Sequence, residues 1–89
     1  MAVRIVWTVP AVADRAAIFS YIADDNIRAA VAMDEKIGAA AERLAHMPLK
    51  GRPGRVPGTR ELVAHEHYML VYEIDGDTVC ILTVLHTGR

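Results

Sequence analysis

The sequence predicts an α+β domain of order β-α-α-β-β-β, a helical hairpin packed on a small antiparallel sheet. Three observations predict it. Ala30, Met33, Ile37, Ala40, Leu44 and Met47 recur at spacings of 3-4-3-4-3, the period of one helix face. From His67 to Ile74 the period becomes two, with Tyr68, Leu70, Tyr72 and Ile74 on one side. Asp75-Gly76 then separates this run from a second apolar, β-branched segment, Thr78 to His86, and is the dipeptide of a two-residue hairpin turn.

The elements follow in order. Val3 to Trp7 is short and β-branched and reads as a strand, expected at a sheet edge. Thr8 or Val9 caps the next helix, and Pro10 fits its first turn, where a missing N–H has no partner to lose. This helix runs to about Ala23, with Val12, Ala16, Phe19 and Ile22 or Ala23 as its buried stripe. Asp24-Asp25-Asn26 interrupts the chain, and Asn26 caps the second helix. Its charged residues, Asp34, Glu35, Glu42 and Arg43, fall off the apolar stripe, and Pro48 ends it. Residues 48–59, PLKGRPGRVPGT, hold three prolines and three glycines and form a surface loop. Arg60 to Ala64 is the next strand. In the final hairpin Ile74 is expected opposite Asp77, Tyr72 opposite Val79, Leu70 opposite Ile81, Tyr68 opposite Thr83 and His65 opposite His86. A one-residue bulge beyond Ile81 would change the last of these pairs.

Eighty-nine residues make one domain, residues 1–89. A domain this small buries only about 60–65% of the surface of its unfolded chain. With 53% hydrophobic residues, part of its apolar surface is expected to lie against another protein. The net charge of −1 argues against a general nucleic-acid binder. The charge is uneven, however: Lys50, Arg52, Arg55 and Arg60 fall within eleven residues, and no acid lies between Glu42 and Glu61. The single cysteine, Cys80, allows no intramolecular disulfide and reads as a buried strand thiol. No stretch approaches the ~18–20 apolar residues of a membrane span. The N-terminus has no basic region followed by an apolar one, so a cytoplasmic protein is expected. The glycine-rich loop lacks the GxxxxGK[ST] pattern and precedes no helix, and no metal-ligand spacing occurs; no cofactor or metal is expected.

An ordered series of short motifs carries a family likeness. It begins with Trp7-Thr8-x-Pro10-Ala11, Asp14, Ile18 and Tyr21-Ile22-Ala23, and continues with Asn26-x-x-Ala29-Ala30, Leu44 and Pro48. Its most specific part is Gly51-Arg52-x-Gly54-Arg55-Val56-x-Gly58-Thr59-Arg60-Glu61-Leu62-Val63. It closes with Tyr68, Val71-Tyr72, Asp75-Gly76-Asp77, Val79, Ile81-Leu82 and Val84-Leu85-His86. Over nearly its whole length the chain resembles the RelE/ParE superfamily of plasmid-stabilisation toxins. The resemblance implies the β-α-α-β-β-β fold reached above. It also implies a growth-arresting toxin of a type II toxin–antitoxin system, bound in a hetero-oligomer by a cognate antitoxin whose disordered segment folds as it wraps the toxin. RelE-like members cut mRNA in the ribosomal A site, whereas ParE-like members block DNA gyrase without known catalysis.

RNA cleavage at a 2′-OH needs a base, an acid and cations for the extra phosphate charge. If the chain is an mRNA interferase, the resemblance points to His86, at a strand end where ribonuclease relatives carry a histidine. Imidazole suits acid–base work. Arg60 and Arg89 would hold phosphate in bidentate fashion. Glu61 is the candidate base, and Tyr68 a proton donor or a base-stacking ring. Lys50, Arg52 and Arg55 are candidate contacts to phosphate or to a protein target. Each has a plainer reading: His86 as a surface or packing histidine, Arg60 paired with a helix acid, Tyr68 and Tyr72 as core aromatics, and His65 and His67 as solvated side chains.

Met69, Glu73 and Thr83 stand where many superfamily members carry basic residues. A slightly acidic chain is poorly suited to the phosphate field of the ribosome. The sequence therefore favours a ParE-like gyrase inhibitor over a RelE-like ribosome-dependent mRNA endonuclease. A third reading is a non-toxic module that binds the antitoxin and assists repression of their operon.

Overall fold

In the computed structural model, which describes residues 3–87, β1 (Arg4–Trp7) is followed by α1 (Val9–Ala23) and α2 (Ile27–His46). A two-residue strand β2 (Arg52–Pro53), β3 (Arg60–His65), β4 (Tyr68–Asp75) and β5 (Thr78–His86) complete the chain. The two helices pack on one face of a five-stranded sheet of order β1-β5-β4-β3-β2. β3, β4 and β5 are antiparallel neighbours, as expected, and β2, within the stretch read as a surface loop, adds an unexpected antiparallel pair on β3. β1 does lie at an edge, but parallel to β5, so the sheet is mixed. No helix among the described residues is long and apolar enough to cross a membrane.

α2 follows its sequence period. Ala30, Ile37, Ala40 and Leu44 are fully buried, Met33 packs against them, and Asn26 caps the first turn by accepting from the Ala29 N–H. Met47, the last residue of the predicted stripe, is exposed because the helix has ended at His46. The core joins these side chains to Leu62, Tyr68, Leu70, Tyr72, Val79, Ile81 and Val84 of the sheet.

α1 departs from expectation. Its inward residues are Ala11, Ile18 and Ile22; of the predicted stripe Ile22 packs on the core, whereas Val12 and Ala16 are exposed. The helix is apolar nearly all round, so periodicity alone could not choose a face. Its two charged residues decide the matter by turning inward. The Arg15 Nε–H bonds Asp34 Oδ1 at 2.6 Å, its Nη2 reaches the same carboxylate, and the guanidinium lies 4.8 Å from the Trp7 ring centroid. Asp14 accepts from the Thr83 hydroxyl and from the Val84 N–H.

Asp14 thereby continues the work of β1. The pairing of β1 with β5 stops at Trp7 and Ile81. Beyond it, the Thr8 hydroxyl donates to the carbonyls of Ile81 and Leu82, and Asp14 takes the next free N–H. Asp14→Ala is expected to strip Val84 N–H and Thr83 of their partner and to lower stability by about 1–2 kcal/mol. A denaturant midpoint unchanged by the substitution would show that water replaces the carboxylate at no cost.

The β4–β5 hairpin also shifts from its predicted register. Asp75 pairs with Thr78, so Gly76-Asp77, not Asp75-Gly76, form the turn. Gly76 has φ +60°, which suits the first central position of a type II′ turn. Tyr72 consequently faces Ile81 rather than Val79. The pairing then skips Leu82, a bulge in the region where one was anticipated, and Leu70 faces Val84 while Tyr68 faces His86. His65 pairs with Tyr68 across β3, not with His86. The bulge changes which residues of β5 face the helices: Val84 and His86 take the positions that Thr83 and Leu85 would have held.

Candidate functional site

Arg60 and Glu61 are neighbours on β3, so their side chains leave opposite faces of the sheet. On the helix side, Arg60 Nη1 donates to the carbonyls of Gly51, at 2.7 Å, and Leu49. The Tyr72 hydroxyl sits beside it, donating to Pro48 O at 2.7 Å and accepting from Gly51 N–H at 3.0 Å. Burial raises the pKa of this phenol, against the opposing effects of the Gly51 N–H and the Arg60 charge. The pair pins the start of the basic loop to the sheet. Arg60 is thus bonded to backbone carbonyls rather than to a helix acid.

On the other face, β2 places Arg52 opposite Glu61. Glu61 is only 7% exposed, and its carboxylate accepts from Arg52 Nε at 3.2 Å and from Arg55 N–H at 3.4 Å. A buried carboxylate held by a guanidinium and a backbone N–H anchors the loop. The sequence carried no sign of this role, because the pairing depends on β2, two residues inside a proline- and glycine-rich run.

His86 ends β5 against the edge of the buried Tyr68 ring, with centroids 5.2 Å apart. His67 stacks on His86 at 5.7 Å, and His65 lies 5.8 Å from His67. His86, Thr87, Arg52 and Arg55 line a cavity of about 120 Å³ floored by Met69 and Leu85. The structure therefore brings His86 together with Tyr68 on the helix side of the sheet, whereas Arg52 and Arg55, which share the lining of this cavity, meet Glu61 on the opposite face. It does not bring His86 to Arg60. Arg60 is level with Tyr72 and His86 with Tyr68, four residues apart on β4. That offset is roughly 13 Å along the strands, with about 10 Å more across them. Lys50 is exposed beside the end of α2, its N–H bonded to Met47 O. Arg89 lies outside the described residues. Among those residues, no three His, Cys, Asp or Glu side chains form a metal-binding group.

A family model described as the ParE toxin of the type II toxin–antitoxin system matches residues 5–89. The chain belongs to the ParE toxin family. Relatives of this ParE chain include Y4kP of Sinorhizobium fredii, described as a candidate toxin, which is 45% identical over 97% of this chain and 90% of its own length. The toxin RelE2 of Caulobacter vibrioides is 35% identical over 97% of both chains. Among solved structures, a chain of the chromosomal ParDE system of P. aeruginosa superposes with a TM-score of 0.83, at 25% identity and 96% coverage of both chains. A chain of the Mycobacterium tuberculosis toxin–antitoxin complex RelBE2 gives 0.68, at 27% identity, covering 97% of this chain and 99% of its own. The ParE family fold is thus shared with relatives of both names, and the likeness extends over nearly the full length of each.

Proposed function

We propose that this ParE-family toxin arrests growth by binding DNA gyrase, without catalysis, and that a cognate antitoxin neutralises it in a hetero-oligomer. The observation that carries the reading is how Arg60 and Glu61 are employed. Both Glu61 carboxylate oxygens and Arg60 Nη1 are bonded to the loop between α2 and β3, and Arg60 stands a strand's length from His86. An acid–base site needs its base, acid and phosphate-binding cation around one reacting phosphate. A protein-binding surface has no such requirement. Purified gyrase tests the proposal: the toxin is expected to inhibit supercoiling, and His86→Ala is expected to inhibit it equally. Unaffected supercoiling would overturn the gyrase reading.

The cavity between His86, Arg52 and Arg55 favours a second reading, a ribosome-dependent mRNA endonuclease in which these two arginines, rather than Arg60, meet the phosphate. Transcripts cleaved by the wild type and intact with His86→Ala would establish it.

A further inference from the structure

The sheet face away from the helices carries a row of three cross-strand neighbours, Val63 on β3, Met69 on β4 and Leu85 on β5. Val63 is 48% exposed and Leu85 43%, although these are residue types that folding usually covers. Met69 between them is only 6% exposed yet lies outside the core cluster, in the cavity that Arg52 and Arg55 also line. The loop that carries both arginines is held stiffly. Gly54 N–H donates to Thr59 O at 2.8 Å, the Thr59 N–H and hydroxyl both donate to Val56 O, and Gly58 turns the tip with φ +87°. Val56 is left 63% exposed there. Glu61, the acid beside the two arginines, is already engaged by Arg52 Nε–H and by the Arg55 N–H. Among the described residues, the Arg52 Nη groups and the whole Arg55 guanidinium have no hydrogen bond or ion pair.

We infer that this face, the Val63–Met69–Leu85 row flanked by Arg52, Arg55 and Val56, is the surface by which the toxin grips its target, and that it takes an acidic segment of gyrase with an apolar side chain beside the acid. The inference rests on the gyrase reading proposed above. Charge sets the acidic half of the match, because guanidinium groups with unused donors pair with carboxylates in bidentate fashion. The aliphatic row sets the other half, an apolar centre bordered by polar groups. Composition separates a protein partner from a nucleic acid. Single strands of RNA and DNA are held by stacking their bases on aromatic rings. Among the described residues this face carries no Phe, Tyr or Trp: Trp7, Tyr68 and Tyr72 pack in or against the core, and Phe19 and Tyr21 belong to α1. A second copy of the chain fits no better, because a two-fold contact would set the arginines of one copy against those of the other. The bonds within the loop fix the arginine-bearing backbone in advance, so binding orders little of it.

Titration of purified gyrase with the toxin, read alongside supercoiling, tests the face. Arg55→Glu reverses a charge whose guanidinium has no bond in the fold to lose. Leu85→Thr removes an exposed apolar side chain and keeps a residue that suits a strand. Each is expected to weaken gyrase binding about tenfold or more and to raise the half-inhibiting toxin concentration by the same factor, with an unchanged melting curve. Should Leu85→Thr lower the melting temperature, Arg55→Glu alone decides. Wild-type affinity is expected to fall as salt rises, and to fall less steeply with Arg55→Glu. Arg28→Glu, the same change of charge at an exposed position on α2, is expected to bind within about threefold of wild type. A wild type that inhibits gyrase, with both face substitutions inhibiting equally well, would overturn the face and leave the gyrase reading standing. A wild type that neither binds nor inhibits would remove the gyrase reading and the face together. Binding of a single-stranded oligonucleotide by the wild type, lost with Arg55→Glu while gyrase affinity is unchanged, would assign the face to nucleic acid instead.

Discussion

Leu44→Ala is expected to destabilise the domain by about 2–5 kcal/mol. For a chain of this size that lowers the melting temperature by at least ~8 °C. Leu44 is fully buried where α2 meets the sheet, in one cluster with Leu62, Leu70 and Tyr72. Truncation removes apolar contact and leaves a cavity that the sheet cannot close, because the β3–β4–β5 ladder fixes the spacing of its floor. Met47→Ala provides the contrast. It lies on the same sequence stripe but is exposed past the helix end, and its melting curve should match wild type within about 0.5 kcal/mol. Equal curves for Leu44→Ala and wild type would show that α2 presents a different face to the sheet.

Gly51→Ala is the second large effect. A Cβ at Gly51 would stand 2.6 Å from the Tyr72 hydroxyl oxygen and 2.7 Å from Glu61 O, closer than real contacts allow. The Glu61 oxygen belongs to a paired strand, so the loop must move instead. Moving it breaks the Gly51 bonds to Tyr72 and Arg60 that pin the loop. The expected cost is about 1–3 kcal/mol. The loop position of Arg52 and Arg55 is lost with it, so the substitution also disturbs the cavity beside His86. A denaturant midpoint equal to wild type would contradict the close approach of loop and sheet. The Tyr72 bond has a pH signature as well. Burial favours the neutral phenol in the folded chain, so its contribution is complete below the ordinary tyrosine range. It is lost as the pH rises through the raised value.

Much of this fold was legible because pattern and physics agree on α2 and on the strands. The period of α2 named Ala30, Ile37, Ala40 and Leu44, and all four are buried. The alternation of β4 named Tyr68, Leu70 and Tyr72, and these face the core although the pairing of β5 slid. That slide, between the two possible turns at Asp75-Gly76-Asp77, moved each strand by one residue and so kept every inward side chain inward. The bulge at Leu82 is what brought His86 to the helix side, and nothing in the local sequence fixes a bulge. α1 misled for a physical reason. Charged residues ordinarily mark the solvent face of a helix, whereas Asp14 and Arg15 are satisfied by partners 69 and 19 residues away. The site divided in the same way. His86 and Tyr68 were both singled out as candidates, but their pairing depends on the bulge, and the commitment of Arg60 and Glu61 to the loop depends on tertiary contacts made by Gly51 and by β2.

These commitments bear directly on the mode of action. If Arg60 and Glu61 hold the loop, and the toxin works by protein contact, the effect of the toxin should appear in DNA topology. Plasmid recovered from cells arrested by the toxin is the most direct measure. The proposal predicts relaxed plasmid, to the same degree with His86→Ala as with wild type. Plasmid of normal negative supercoiling in arrested cells, with arrest itself abolished by His86→Ala, would contradict it.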